Sequence, residues 1–132
     1  MNIKKPEMIK KVWGKEEIFT DGTEPYCGKK LHLNKGYRCS IHKHPKEESF
    51  YIETGKIYFE LERDDGKMEN SILNSKDIVH ILPNRYHRFS GLEDSVIIEV
   101  STPDTESERK TKSEKIPNFD GWIQTILSKG EN

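Results

Sequence analysis

Residues 36–55 read GYRCSIHKHPKEESFYIETG, with two histidines one residue apart, a glutamate four positions further on and a glycine at each end. Successive side chains of a β-strand point to opposite faces, so His42 and His44 project to the same side of an extended segment. Glu48 begins a second extended run and has the same parity as the apolar residue Phe50. This pattern predicts two imidazoles and one carboxylate aimed at a common point inside a β-structure.

A fourth candidate ligand lies in ILPNRYHRF, residues 81–89. His87 follows the Pro83-Asn84 turn and opens a short strand in which Phe89 faces the core. Imidazole nitrogen suits transition metals, and a rigid strand fixes the angle between ligands. An interior carboxylate beside three histidines is costly unless a cation neutralises it. The residues therefore predict a divalent metal ion (Mn, Zn, Fe or Ni) held by His42, His44, Glu48 and His87.

The bulk composition fits one domain and indicates no polymeric partner. Of the 132 residues, 32% are apolar and 34% are charged, so the core must be small and many side chains must be wetted or line a polar cavity. The formal charge of -1 supplies no net field for nucleic acid or an anionic membrane. No apolar run resembles a signal peptide or a membrane span. We therefore expect a cytoplasmic protein that binds neither nucleic acid nor membrane.

Short β-rich runs separated by turn residues extend from Val12 to about Val100, a pattern typical of an all-β barrel or sandwich. Cys27 and Cys39 fall in separate runs without CxxC spacing, which favours buried free thiols over a disulfide. The predicted strands cover residues 13–19, 26–33, 37–43, 48–53, 56–62, 68–73, 78–82, 86–89 and 95–101.

The character of the chain changes after residue 101. Residues 102–115 contain no large apolar side chain, which predicts an exposed linker. Apolar residues then recur at helical spacing behind Asp120, a candidate N-cap, and their stripe must dock on the barrel or on a neighbouring subunit. We therefore expect three parts: a barrel with its N-terminal strand, a polar linker and an amphipathic helix, at 1–103, 104–117 and 118–129.

These motifs resemble those of the cupins. The first stretch reproduces the first cupin motif spacing for spacing, at Gly36, His42, His44, Glu48 and Gly55. In the second motif, Pro83 and His87 stand at the proline turn and the fourth ligand position. Lys76 and Asn84 replace the usual glycines, and Gly91 replaces the usual asparagine. Asparagine tolerates positive φ, so the turn at Asn84 is still feasible.

The resemblance extends over roughly residues 11–103. It implies an all-β double-stranded β-helix, the jelly-roll barrel, to which this chain adds a short C-terminal α-helix. The flanking segments WGKEEIF, YCGKKLHL and GLEDSVIIEVSTP are similar to single-domain cupins related to sugar isomerases: the D-lyxose isomerase type and the isomerase domain of bifunctional mannose-6-phosphate isomerase. Those relatives interconvert aldose and ketose sugars at a divalent metal, and cupins of this size commonly pair through their sheets. The resemblance therefore implies a homodimer that isomerises a sugar or sugar phosphate.

Four further side chains are candidates for roles beside the metal. Lys29 shares a face with Leu31, so it either enters the cavity or extends to the barrel mouth without a function. Glu99 faces the cavity unless its alternate neighbours in the strand take the core instead. We expect Glu99 to act as the base and Lys29 to stabilise the charge of an enediolate. Arg38 and Ser40 have the same parity as His42 and His44, so we expect them to line the cavity as substrate-binding residues.

Two other functions stay open on the same ligands. A three-His, one-Glu site that holds Fe, Ni or Cu can bind dioxygen, which gives dioxygenase chemistry on an enediol or flavonol substrate. A small sugar-binding or sensor module with a structural metal is the non-catalytic alternative. The fold by itself does not choose between these functions.

Overall fold

The computed structural model describes residues 1–20, 22–103 and 106–130. Period-two alternation is clearest in the third strand, where Cys27, Lys29, Leu31 and Leu33 are buried and the residues between them are half-buried. In chain order the elements are β1 (Glu7–Lys11), β2 (Gly14–Ile18), β3 (Cys27–Leu33), β4 (Tyr37–Arg38), β5 (His42–Lys43), β6 (Glu48–Thr54), β7 (Lys56–Glu62), β8 (Met68–Asn74), β9 (Ile78–Ile81), β10 (His87–Gly91), β11 (Ser95–Ser101), β12 (Glu108–Arg109), β13 (Glu114–Lys115) and α1 (Phe119–Gly130).

The strand pairs of the described residues are antiparallel and form two sheets. One sheet has the order β1-β2-β3-β11-β6-β9. In the other, β10 lies between β7 and an interrupted strand made of β4 and β5, with β8 beyond β7 and with β12 and β13 on the outer sides of β5 and β4. Two such sheets around a common interior form a jelly-roll barrel. The predicted all-β jelly-roll with a short C-terminal helix is confirmed.

Apolar side chains from both sheets fill part of this interior. Trp13 packs edge-to-face against Phe89 with ring centroids 5.1 Å apart, and Phe50 does the same against Phe59 at 5.9 Å. Both cysteines are buried and lie outside any disulfide, as predicted. The core cluster consists of Trp13, Leu31, Leu33, Cys39, Phe50, Ile52, Ile57, Phe59, Ile81, Phe89 and Ile97.

The C-terminal helix docks on the outer face of the second sheet. Ile126 and Trp122 of α1 pack on Tyr58 and Leu92, and the Trp122 ring stands edge-on to Tyr58 with centroids 5.7 Å apart. The helix begins one residue before Asp120, so Asp120 lies in the first turn and its predicted N-cap role is wrong. A helix that spans a bilayer is absent from the described residues.

The predicted linker at 104–117 is described from residue 106 onward, and residues 104 and 105 lie outside the described residues. Its side chains are mostly exposed, but its backbone forms two strands that the sequence did not indicate. The Ile41 amide donates to Thr111 Oγ1 at 2.8 Å, which adds to the strand pairing. Residues 106–117, here called the strap, are therefore bound along the edge of the second sheet.

Candidate metal centre

Three of the predicted ligands meet inside the barrel. His42 is the first residue of β5, and His44 follows that strand directly. His87 opens β10 and lies opposite His42 in the strand register. One nitrogen from each of the three rings lies within 4.8 Å of the others, and the ring centroids are 4.5–5.5 Å apart. The structure thus brings together three imidazoles that the spacing assigned to one site.

The fourth predicted ligand, Glu48, is buried against the same group. It starts β6 in the opposite sheet. Its Oε2 lies 3.2 Å from His44 Nε2 and 3.4 Å from His87 Nε2. Both sheets therefore contribute donors to the group, with Glu48 adjoining His44 and His87.

Backbone hydrogen bonds orient two of the rings. His42 Nδ1 donates to the Ser40 carbonyl at 2.8 Å, and His87 Nδ1 donates to the Arg85 carbonyl at 2.9 Å. Because a carbonyl oxygen only accepts, each Nδ1 carries the proton and each Nε2 keeps its lone pair. Burial lowers the pKa of His42 and lowers the pKa of His87 to about 3, so both rings are neutral near pH 7. Neutral, hydrogen-bonded imidazoles of this kind are the usual form of metal ligands.

The donor set fits a divalent cation. Glu48 Oε2 and His87 Nε2 are buried and have no hydrogen-bond partner among the described residues, although they face each other at 3.4 Å. Two such acceptors repel unless a proton or a cation lies between them. Burial, followed by the charge of Glu99, raises the pKa of Glu48 to about 8. A divalent ion here would satisfy both lone pairs and favour the ionised carboxylate.

A buried ion pair continues the site beyond Glu48. Lys46 Nζ lies 2.8 Å from Glu99 Oε2 and 3.5 Å from Glu48 Oε1. Ser101 Oγ donates to the same Glu99 oxygen at 3.2 Å. Glu99 faces the interior, whereas its neighbour Val100 is exposed. The alternative in which the other residues of that strand take the core is therefore excluded.

Lys46 is a site residue that the sequence analysis missed. It directly follows Pro45, a residue typical of turns, so the local pattern does not indicate an inward side chain. Its position has the same parity as His42, His44 and Glu48, and its side chain is buried like those of His44 and Glu48. That shared parity is the signal that would have found it.

Lys29 enters the interior from β3, one of the two orientations that the sequence left open. Its Nζ lies 3.3 Å from Glu16 Oε2, and the residue lies opposite Glu99 in the strand register. Glu16, on β2, was not predicted as a site residue. The lysine therefore reaches the cavity with a carboxylate beside it.

The two predicted substrate-binding residues separate in the structure. Ser40 is buried and lines the cavity. Arg38 does not line it, because its guanidinium donates to Glu114 of β13 at 2.9 Å. The predicted strand 37–43 is interrupted between β4 and β5, which breaks the alternation and buries both Cys39 and Ser40. The expectation that Arg38 faces the cavity is wrong for this reason.

One cavity of about 740 Å³ contains the whole group. A cavity of this size accommodates a small molecule. Arg109 of the strap lines it and lies opposite His42 in the register of β12 with β5. A separate outer groove of about 490 Å³, beside the turn between β7 and β8, contains none of the predicted site residues.

Comparisons with known proteins agree with this architecture. No protein-family model matches the chain. A variant of oxalate decarboxylase from Bacillus subtilis is similar, with a TM-score of 0.66 at 16% identity over 75% of this chain and 27% of that chain. A deletion variant of the same enzyme has a TM-score of 0.69 and 13% identity over 94% of this chain and 34% of that chain. KdgF from Halomonas sp. has a TM-score of 0.59 and 22% identity over 70% of this chain and 80% of that chain.

These likenesses establish the fold. The chain folds as a jelly-roll barrel, as these neighbours do. It spans about a third or less of the oxalate decarboxylase chains that it matches.

Proposed function

We propose that the protein is a metal-dependent enzyme that interconverts an aldose and a ketose, as the free sugar or the sugar phosphate, through an enediol. The observation that carries this proposal is the position of Glu99. Its carboxylate is buried in the same cavity as the three histidines and is linked to Glu48 through Lys46. Aldose-ketose isomerisation requires this combination of an electrophilic centre and an adjacent base.

His42, His44, Glu48 and His87 would hold the ion, which when bound polarises the substrate carbonyl and the adjacent hydroxyl. The Glu99 carboxylate takes the proton from C2 of the aldose and returns it to C1 of the enediol, while a second proton moves from the C2 hydroxyl to the C1 oxygen. No net proton is gained or lost. This role uses a carboxylate whose orientation is fixed by Lys46 and Ser101.

The two buried lysines stabilise negative charge in this scheme. Lys46 lies between the two carboxylates, with its Nζ 2.8 Å from the Oε2 of Glu99, the group that acts as the base. Lys29 lies opposite Glu99 in the register and supplies a second ammonium beside the enediolate. Ser40 lines the same cavity and offers a hydroxyl to the substrate.

The test is a turnover assay with metal-loaded protein on a panel of pentoses, hexoses and their phosphates, with ketose formation as the readout. Glu99→Gln should retain its metal and lose roughly 10²- to 10⁴-fold in turnover, because the base is replaced by an amide of the same shape. Glu47→Gln is the matched control, since Glu47 is exposed and has the opposite parity. The proposal fails if no sugar gives a ketose while the metal is bound.

The same preparation distinguishes the two alternatives. Oxygen consumption that depends on Fe or Ni would indicate dioxygenase chemistry. A sugar that raises the melting temperature without turnover would indicate a binding module. The homodimer and the cytoplasmic location are further predictions, and light scattering on the purified protein tests the first.

A further inference from the structure

The charge that lines the cavity differs from the charge of the chain as a whole. The chain has a formal charge of -1, whereas basic side chains outnumber carboxylates in the cavity lining. Ion pairs within 3.5 Å join each of these carboxylates to a lysine at position 11, 29 or 46. The basic residues are Lys10, Lys11, Lys29, Lys46, Arg109 and Lys112, and the carboxylates are Glu16, Glu48 and Glu99.

Three of the basic side chains have no carboxylate within ion-pair distance among the described residues: Lys10, Arg109 and Lys112. All three are exposed, so they lie at the mouth of the cavity rather than at its base. Lys10 belongs to β1 at the edge of the first sheet, and the other two belong to the strap on the second sheet. Two segments that are far apart in sequence therefore bring unpaired positive charge to the same opening.

Strand geometry holds Arg109 at this opening. Its neighbours in the strap have partners elsewhere: Glu108 lies 3.4 Å from Lys43 Nζ, and Lys110 Nζ lies 4.0 Å from the centre of the Tyr86 ring. Adjacent residues of a strand point to opposite sides. Arg109 therefore points to the side of His42, its partner in the register.

The base of the cavity has the opposite character. The ammonium of Lys46 there is already paired with Glu48 and Glu99, whereas the basic side chains at the mouth are available to an anionic group. A substrate with a negatively charged end is consequently oriented with that end toward the mouth. Arginine presents a planar fork of donors that matches phosphate and carboxylate oxygens.

We propose that Lys10, Arg109 and Lys112 form an anion-recognition site, which binds the phosphate or carboxylate of the substrate while its carbonyl end faces the histidines. The assignment of the substrate as a sugar rests on the proposed function. The anion site itself can be measured by binding, without turnover. The substrate class is therefore a sugar phosphate or a sugar acid rather than a neutral sugar.

The experiment compares three ligands that share one carbon frame: mannose, mannose 6-phosphate and mannuronate, each titrated calorimetrically into metal-loaded protein. At least one charged ligand should bind roughly ten- to hundredfold more tightly than mannose, as expected for charge-assisted hydrogen bonds. Arg109→Ala should remove most of that preference and leave mannose binding and metal content unchanged. Lys10→Ala, in a different segment, should reduce it as well, whereas Lys15→Ala, an exposed lysine outside the cavity lining, should not.

Preference for the phosphate alone, or for the acid alone, identifies the source of the anion. Equal affinity of the wild type for all three ligands would overturn the site, and so would an unchanged preference in both Arg109→Ala and Lys10→Ala. Selective anion binding without ketose formation would contradict the isomerase proposal only. Ketose formation from mannose and mannose 6-phosphate at equal efficiency, without an anion preference in binding, would contradict the anion site only.

Discussion

The two ends of the barrel interior are built by the same strands and have opposite chemistry. In the first sheet, Leu31, Ile97 and Ile52 lie side by side across β3, β11 and β6, and each is at most 2% exposed. The next inward positions on β3 and β11 are Lys29 and Glu99, which are also paired in register. A single two-residue step along the strands therefore separates the apolar end from the polar end.

This difference shows which part of the interior the fold depends on. Alternation requires only that the inward side chains be buried, and a polar side chain meets that requirement when it has partners. Burial of the apolar side chains stabilises the fold through their transfer free energy. The ion pairs of the polar end add little net stability, because their attraction does no more than offset the cost of removing the charges from water. The polar end is thus open to functional residues without loss of the fold.

The largest expected effect is at the apolar end. Ile97→Ala should lower the free energy of unfolding by roughly 2 to 5 kcal/mol, because it leaves a cavity in a fully buried row. Urea denaturation followed by tryptophan fluorescence measures this. Val100→Ala, on the same strand but 56% exposed, is the control and should stay within about 0.5 kcal/mol. Equal losses in the two variants would remove the distinction between inward and outward positions of β11.

The next effect is on metal affinity. His87→Ala should weaken the binding of a divalent metal more than about a hundredfold, since it removes one of the three clustered imidazoles and the one that faces Glu48. Calorimetric titration with Zn²⁺ or Mn²⁺ measures the change. His80→Ala is the matched control, because His80 lies on the outer face and bonds to Ser49 Oγ at 2.7 Å. Metal binding that is equal in both variants would show that the polar end is not a metal site.

A double-mutant cycle on the polar end gives a smaller effect. Lys29→Met or Glu16→Leu alone should cost about 1 to 3 kcal/mol, because each breaks an ion pair between a buried lysine and a half-buried glutamate. The double variant should be about as stable as the wild type, or more stable. The same measurement on the exposed pair of Lys30 and Glu53 should give a coupling of less than about 1 kcal/mol. A strongly destabilised double variant would mean that this end also stabilises the fold.

The smallest effect is a pH dependence at the apolar end. Burial raises the pKa of Cys39 to about 12 from a model-compound value of 9.0. The folded state therefore retains the thiol proton, and this contribution to stability is complete below pH 9 and is lost as the pH rises toward 12. Between pH 8 and pH 10 the wild type should lose about 1 kcal/mol more of its unfolding free energy than Cys39→Ala does. Parallel pH profiles in urea denaturation would contradict this.

The strands with clear alternation were predictable from the sequence. The predicted runs at 56–62 and 95–101 match β7 and β11 residue for residue. The turn at Asn84 adopts φ of 60°, as its tolerance of positive φ allowed, and Lys76 has φ of 78° where the cupin motif has glycine. Local pattern and turn chemistry were sufficient in these places.

Other features depend on tertiary contacts that no local pattern shows. The sequence EMIKK of β1 and the polar strands β12 and β13 carry no strand signal, because they form by adding to the edges of existing strands. The prediction for Arg38 is wrong for a similar reason, because the local pattern does not show the interruption between β4 and β5. Arg109 could not be identified as a cavity residue because its position depends on the pairing of the strap.

The register of β10 has a consequence for the order of folding. His87 lies opposite both His42 and Leu61, so β10 is inserted between β5 and β7, which precede it in the chain. His42, His44 and Glu48 are close together in sequence, but the fourth donor arrives only when this long-range pairing is complete. Pairings of this kind form slowly. Acquisition of full metal affinity during refolding is therefore a kinetic marker of barrel closure.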